Sequence, residues 1–208
     1  MAEYSDSERA LISAALEEFS RHGRQGARMQ EIADRAGLNK ALLHYYFRSK
    51  DRLYEEVFRY VYSQFLMGMI STVQEPGDFV TILRTFISRY IELLENNPAL
   101  PMFMLREIAE GAPVFKRLIV ELGAGAPMGP LTHLIAFFER GRREGVTVAF
   151  DPMQTLISVM GACIYFFAGF PIFSAMLPEW QEHRAAIIEE RKNHVFDLVY
   201  YGLKPREE

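Results

Sequence analysis

Apolar residues recur at intervals of three and four along almost the whole chain, and the alternation typical of strands is almost absent. This spacing predicts amphipathic helices and an all-α fold. The apolar residues of the first helix share one face: Leu11, Ile12, Ala15, Leu16 and Phe19. Ser5 or Ser7 is placed to cap the start of this helix. Gly23 and Gly26 are placed to end it.

Prolines, glycines and polar caps divide the rest of the chain into further helices. In the first half the pattern predicts helices at about 29–36, 40–46, 50–71 and 79–95. In the second half it predicts helices at about 101–110, 113–122, 130–144, 152–175 and 179–200, with a flexible loop at 123–130. Gly37 is placed to take the left-handed conformation that closes a helix. Asn39, Ser49 and Asp78 can cap the helices that follow them.

Charge is distributed unevenly along the chain. The 208 residues carry a net charge of −4, yet the segment from Arg24 to Lys50 holds six basic and two acidic residues, which leaves −8 elsewhere. This local excess of +4 indicates a surface for a polyanion on an otherwise acidic protein, although an ordinary solvated face gives the same pattern. We predict two domains, residues 1–52 and 53–208.

Two short predicted helices meet at Gly37, with the small residues Ala33 and Ala36 at their crossing. This arrangement is typical of a helix-turn-helix, whose second helix enters the major groove of DNA. The apolar residues that would lock the two helices together are Ile32, Leu38, Leu43 and Phe47. The solvent side of the second helix presents groups suited to phosphates and base edges, namely Lys40, Ala41, His44, Tyr45 and Tyr46.

The stretch from Leu11 to Val57 resembles the TetR family of transcriptional regulators. The residues that carry the resemblance are Ile32-Ala33, Ala36-Gly37-Leu38-Asn39, Tyr45-Tyr46-Phe47 and Ser49-Lys50-Asp51-Arg52-Leu53. The resemblance implies an N-terminal three-helix DNA-binding domain and a larger C-terminal helical domain for ligand sensing and dimerisation. It implies that bases are contacted by Gln30, Lys40, Ala41 and His44. It implies that phosphates are contacted by Arg28, Tyr45, Tyr46 and Lys50.

Some of these assignments have structural alternatives. Tyr45 and Tyr46 could pack against the first helix, and His44 could have a structural or solvent-facing role. Lys50 begins a predicted helix, where a cation opposes the helix dipole. A phosphate close to Lys50 would account for that placement.

Aromatic and methionine residues are frequent beyond Gly77, and most of them are expected in the core. The resemblance implies a largely apolar ligand pocket in this half, and we expect it to be lined by Phe103, Glu107, Phe137 and Phe166. Glu107 and Glu110 could instead form a solvated helix face. The sequence contains no glycine-rich phosphate loop, histidine pair at metal spacing or nucleophile elbow. We therefore expect no enzyme activity, cofactor or metal.

No charged residue lies between Pro152 and Pro178, a length that would suit a transmembrane helix. Against a membrane span are the internal Pro171, the lack of a flanking basic cluster and several polar side chains. A helix buried in a dimer interface gives the same pattern. The resemblance implies that helices 152–175 and 179–200 pack against a second copy, with Gly161, Ala162 and Ala168 allowing close approach.

The function implied by the resemblance is that of a dimeric repressor released from a palindromic operator on double-stranded DNA by a small, largely apolar ligand. The alternative is a helical carrier or sequestering protein for apolar ligands, without specific DNA binding. The single Cys163 and the polar, acidic start of the chain favour a cytoplasmic location.

Overall fold

The computed structural model describes residues 4–122 and 131–205, and every regular element in these two ranges is a helix. The all-α fold class is confirmed. The helices are α1 (Asp6–Gly26), α2 (Met29–Arg35), α3 (Lys40–Phe47), α4 (Lys50–Val73), α5 (Phe79–Asn96), α6 (Leu100–Ala109), α7 (Pro113–Leu122), α8 (Leu131–Arg143), α9 (Pro152–Met176), α10 (Glu179–Glu182) and α11 (Arg184–Leu203). The loop predicted at 123–130 lies outside the described residues.

The predicted caps begin the helices as the sequence suggests. The Ser5 side chain accepts a hydrogen bond from the Glu8 backbone, and the Glu8 side chain accepts one from the Ser5 backbone, which forms a capping box for α1. Asn39 accepts from Leu42 N at 2.7 Å at the start of α3. Asp78 accepts from Thr81 N at 3.0 Å at the start of α5. Hydrogen bonds from the backbone and the hydroxyl of Thr81 lower the pKa of the Asp78 carboxyl.

The two glycines predicted to end α1 both interrupt it. Gly23 breaks the helix with φ 66° and ψ 174°, and a short helical segment continues from this kink to Gly26. One helix differs from the prediction. The helix predicted at 179–200 is divided at His183 into α10 and α11. No proline or glycine marks this break in the sequence, which is why the periodicity passes over it. Gly37, with φ 68°, has the left-handed conformation predicted for it.

The chain forms two compact units. The first contains Met1–Gln64 and Ala99–Ala124, and the second contains Phe65–Pro98 and Gly125–Glu208. The helices α6 and α7 thus belong to the same compact unit as α1, α2 and α3. The division of function at residue 52 stays a prediction.

The core of the first unit contains the apolar face predicted for α1. Leu11, Ala15 and Phe19 are fully buried, and α1 packs against α2 and α6. The Phe19 ring meets the Tyr54 ring edge to face, with centroids 4.9 Å apart. The α2 and α3 helices pack against each other next to this core. The first unit is therefore a helix-turn-helix held on its neighbouring helices by an aromatic core.

The core of the second unit is built from α5, α8, α9 and α11. The helix α5 contributes an apolar face to this core, with Phe86, Ile87 and Tyr90 among its buried residues. Gly141 in α8 allows the Phe79 ring to approach closely, since an added Cβ would lie 2.6 Å from that ring. This close contact fixes the packing of α8 against the start of α5.

The helix α9 has two different faces. Its buried face contributes Val159, Cys163 and Phe166 to the core, whereas Tyr165 and Ile172 are 66% and 63% exposed. Among the described residues α9 alone is long and apolar enough to cross a membrane, with a mean hydropathy of 2.0 over its most apolar window. The core helix of a soluble protein meets the same criterion.

Candidate nucleic-acid interface and ligand-sensing unit

The helix-turn-helix is formed by α2 and α3 around a small apolar contact. Ile32, Ala33 and Leu43 are fully buried in this contact. The opposite side of α3 is exposed and presents Lys40, Ala41, His44 and Tyr45 to solvent. The geometry therefore gives α3 the free outer face that a reading helix requires.

The four residues predicted to contact bases differ in how free their side chains are. Lys40 and Ala41 are exposed at the start of α3. The His44 Nδ1 lies 3.3 Å from the Arg48 carbonyl oxygen, so Nε2 is the ring nitrogen left for a base edge. Gln30 lies on α2, where its Nε2 donates to Asp34 Oδ1 at 2.7 Å. The structure thus brings Lys40, Ala41 and His44 together on one helix face.

The two tyrosines predicted to contact phosphates have different surroundings. Tyr45 is 75% exposed, which excludes its packing against α1. Tyr46 is half-buried and lines a recess that also contains Tyr4 and Glu8 from the start of the chain. The two rings meet at 5.4 Å in an edge-to-face contact. Tyr45 is therefore the more accessible of the pair.

Lys50 is engaged with the protein backbone. Its Nζ donates to the carbonyl oxygens of Gln25 and Ala27 at 2.8 and 3.2 Å. These carbonyls lie at the C-terminal end of α1, where the helix dipole favours a positive charge. The contact gives a structural reason for a lysine at this position that the sequence did not show. A phosphate contact by Lys50 stays a prediction.

The basic residues of the 24–50 segment are not equally available to a polyanion. Arg24 is paired with Asp51 at 3.0 Å, and Arg35 is paired with Glu17 at 3.1 Å. Within residues 4–122 and 131–205, the other four cations of the segment have no ion pair, namely Arg28, Lys40, Arg48 and Lys50. Lys50 is engaged with backbone carbonyls, so Arg28, Lys40 and Arg48 carry the free positive charge of the helix-turn-helix surface.

Glu107 lies in the core of the first unit, where it joins three helices. One carboxylate oxygen accepts from the Tyr54 hydroxyl at 2.9 Å, and the other accepts from the backbone N–H groups of Val114 and Phe115 at 2.6 and 3.1 Å. Burial, together with the neighbouring Glu107, raises the pKa of Tyr54, so the phenol stays protonated and donates. Glu107 therefore points inward, whereas Glu110 is exposed.

The predicted pocket residues are distributed over several places. Phe103 lies beside Glu107 in the first unit, with ring centroids 5.2 Å from Tyr54 and 5.3 Å from Phe58. Phe137 stacks on Phe79 in the second unit, and Phe166 belongs to a different aromatic cluster of that unit with Phe170 and Trp180. The structure thus brings Phe103 and Glu107 together. The ligand contacts of all four residues stay a prediction.

Arg106 is a structural contact that the sequence did not reveal. Its Nε donates to the Ser20 carbonyl at 2.8 Å, and a terminal nitrogen donates to the Arg21 carbonyl at 3.1 Å. Arg106 on α6 therefore holds the last turns of α1. In the sequence it appeared only as part of a charged helix face. Among residues 4–122 and 131–205 no group of histidine, cysteine, aspartate and glutamate is arranged to hold a metal ion.

Comparisons with known proteins agree with this geometry. Residues 11–57 match the sequence model of the bacterial regulatory proteins of the tetR family. The HTH-type transcriptional regulator RutR of Escherichia coli O157:H7 is 31% identical over 206 residues, which cover 97% of this chain and 92% of RutR. The HTH-type transcriptional repressor NicS of Pseudomonas putida is 24% identical over 137 residues, 65% of this chain and 63% of NicS.

A solved structure shows the same fold. The putative transcriptional regulator SCO4942 from Streptomyces coelicolor has a TM-score of 0.67 at 21% identity, covering 96% of this chain and 100% of that one. The protein is a helix-turn-helix transcriptional regulator that binds DNA. It belongs to the tetR family of bacterial regulatory proteins. The alternative of an apolar-ligand carrier without DNA binding has no support among these relatives.

Proposed function

We propose that the protein is a cytoplasmic repressor that binds a palindromic operator as a homodimer and leaves it when a small, largely apolar ligand binds. The observation that carries this proposal is the exposed outer face of α3, which presents Lys40 and His44 beyond a buried helix-turn-helix contact. Repression is proposed because the relative NicS is named a transcriptional repressor.

The proposed homodimer uses the exposed apolar faces of α9 and α11. Ile157, Gly161 and Tyr165 follow each other at intervals of four residues on α9 and are all exposed. Leu198 and Tyr201 form a similar exposed pair on α11. Exposed apolar surface of this extent is typical of an interaction site. A two-fold pairing through these faces would present two identical α3 helices to DNA.

The operator is tested by mapping the bound DNA across the genome of the source organism and footprinting the recovered sites. A two-fold dimer should protect two inverted half-sites whose centres lie about 34 Å, or one helical turn, apart, or a multiple of that distance. Expression of the genes next to these sites would then be measured in a strain that lacks the regulator. Repression predicts that their expression rises. A single asymmetric half-site at saturating protein would contradict the proposal.

The proposed ligand contacts in the second unit are Phe137 and Phe166. Both lie in aromatic clusters, which suit a largely apolar ligand. A compound library can be screened for molecules that release a fluorescent operator duplex. The variants Phe137→Ala and Phe166→Ala should need a higher concentration of such a molecule while binding the operator normally. An unchanged response in both variants would contradict this placement of the ligand.

A further inference from the structure

The link between α3 and α4 contains a strained residue. Arg48 has φ 59° and ψ −43°, and the Ser49 N–H donates to the Phe47 carbonyl at 2.6 Å. These dihedral angles and this hydrogen bond define a γ-turn with a positive φ, which is rare and strained for a residue with a side chain. Glycine would adopt this φ with little steric cost.

Arginine at this turn is unusual within this chain. Among the described residues five glycines have a positive φ, whereas Arg48 and Ala112 are the two positions with a positive φ that carry a side chain. The Arg48 side chain is exposed, so it contributes little to the core. Arg48 is strained and its side chain adds no packing to the core. These two facts together indicate a role for its charge.

Arg48 lies beside a recess of about 450 Å³ at the end of α3, and Arg52 and Tyr46 line the same recess. The acidic residues of the recess already have partners. Glu55 is paired with Arg117 at 2.6 Å, and Glu56 is paired with Arg59 at 3.6 Å and also accepts from the Tyr4 hydroxyl at 2.9 Å.

Glu8, the third acid of the recess, is held by the capping box at Ser5. Of the three arginines that line the recess, Arg59 is paired with Glu56 and Glu121, whereas Arg48 and Arg52 have no ion-pair partner among the described residues.

We propose that Arg48 binds a backbone phosphate of DNA next to the bases that α3 contacts. The proposal rests on the proposed DNA-binding function and adds a contact to it. Arg48 directly follows the last residue of α3, and Tyr46, for which a phosphate contact is also proposed, lines the same recess. A guanidinium group is well suited to phosphate oxygens because its N–H groups form a planar fork.

The test uses a labelled duplex of random sequence, because a phosphate contact does not depend on base sequence. Fluorescence anisotropy would give the affinity of wild type, Arg48→Gly and Arg48→Lys between about 50 and 200 mM salt. Each lost phosphate contact makes the negative slope of log affinity against log salt shallower by about 0.9. Over this range wild type should therefore lose roughly threefold more affinity per subunit than Arg48→Gly. Arg48→Lys should keep the wild-type slope.

Ala112→Gly is the matched control, because it relaxes the other positive φ without removing a charge. Neither glycine variant should unfold at a lower temperature than wild type, and Ala112→Gly should keep the wild-type salt slope. A wild-type slope in Arg48→Gly, or a lower unfolding temperature in that variant, would overturn the proposal. Competition by inorganic phosphate beyond its ionic-strength effect would instead indicate a site for a free anion. Absence of salt-dependent binding by wild type would contradict the proposed function itself.

Discussion

The two lysines predicted to contact DNA differ in how they are engaged within the protein. The Lys50 ammonium group donates to two carbonyl oxygens at the end of α1, whereas Lys40 is exposed and has no ion pair among the described residues. A lysine that closes a helix end supports the domain whatever sequence is bound. An unpaired lysine on α3 is free to respond to the bases. Substitutions of the two residues should therefore differ in their effects on protein stability as well as on sequence specificity.

Lys50→Ala should weaken binding to all duplexes to a similar extent, and it should lower stability by about 1–2 kcal/mol because two backbone acceptors lose their donor. Lys40→Ala should weaken binding to the operator more than to random DNA, with unchanged stability. Anisotropy titrations on both duplexes and thermal unfolding of both variants would measure these effects. A change of sequence preference alone in Lys50→Ala would show that its assigned role is wrong.

Cys163 should be unreactive in the folded protein. Its side chain is fully buried in α9, and burial raises the pKa of the thiol to about 12. Because the thiolate is the reactive form, iodoacetamide at neutral or mildly alkaline pH should label the native protein slowly. Addition of denaturant should make labelling rapid, and mass spectrometry would follow both reactions. Rapid native labelling would show that this part of α9 opens readily.

The sequence predicted residue roles well where the partner is close in the chain. Asn39 and Asp78 cap helices through backbone groups three residues away, so the cap can be recognised from spacing alone. Lys50 contacts carbonyls 23 and 25 residues away, and Arg106 contacts one 86 residues away. Such contacts depend on how helices pack, which periodicity does not specify.

At the scale of elements, Glu107 connects helices that the sequence treats as separate. It accepts hydrogen bonds from Tyr54 in α4 and from the first turn of α7, while it is itself part of α6. The first-turn N–H groups of a helix have no partner within the helix, so a buried carboxylate at this position stabilises α7 directly. The packing of α4, α6 and α7 therefore depends on one side chain.

Glu107→Ala should lower the free energy of unfolding by about 2–4 kcal/mol, because it leaves several buried donors without an acceptor. Glu110→Ala is the matched control, since Glu110 is exposed on the same helix and should change stability by less than about 0.5 kcal/mol. Denaturant unfolding of the two variants would give the difference. Equal stability of both variants would contradict the structural role of Glu107.

Two glycines in helices of the second unit should respond oppositely to alanine. Gly141→Ala should destabilise by about 1–3 kcal/mol, because the new methyl group would lie 2.6 Å from the Phe79 ring. At Gly202 in α11 an added Cβ meets nothing within 4 Å, so alanine should be neutral or stabilise by up to about 1 kcal/mol. Thermal unfolding would compare them. A neutral Gly141→Ala would show that α8 can move away from Phe79.

Helix positions were predictable because proline, glycine and capping residues mark them, whereas the grouping of helices was not. The predicted division at residue 52 gave no sign that α6 and α7 share a compact unit with α1. Arg106 and Glu107, the residues that make this packing possible, have the polar character of a solvated helix face. The break at His183 was missed because no proline or glycine marks it in the sequence.

At the scale of the whole molecule, the uncharged segment at 152–175 has two interpretations from sequence, a membrane span and a dimer interface. In the protomer only one face of α9 is buried in the core, which the sequence could not show. The other face is apolar but also carries Gln154 and Ser158, both exposed. Such a mixed face suits a protein interface better than the hydrocarbon core of a bilayer.

Gly161→Arg should separate the proposed dimer without unfolding the protomer. Gly161 is exposed, and an added Cβ there meets nothing within 4 Å, so each protomer can accommodate the substitution. In a closely packed α9 interface the same arginine would be an unpaired buried charge, which costs about 3–5 kcal/mol. Light scattering should show monomers. Operator affinity should fall, because a monomer has a single α3 and lacks the gain in affinity from binding two half-sites at once.

The matched control is Ala136→Arg, which adds the same charge at an exposed position of α8 and should leave the dimer intact. Far-ultraviolet circular dichroism should be the same for both variants, since neither substitution disturbs a protomer core. A Gly161→Arg protein that remains dimeric with full operator affinity would show that the subunits meet elsewhere. Wild-type protein recovered only from detergent-extracted membranes would instead favour the membrane interpretation of α9, because a dimer interface leaves the protein in the aqueous fraction.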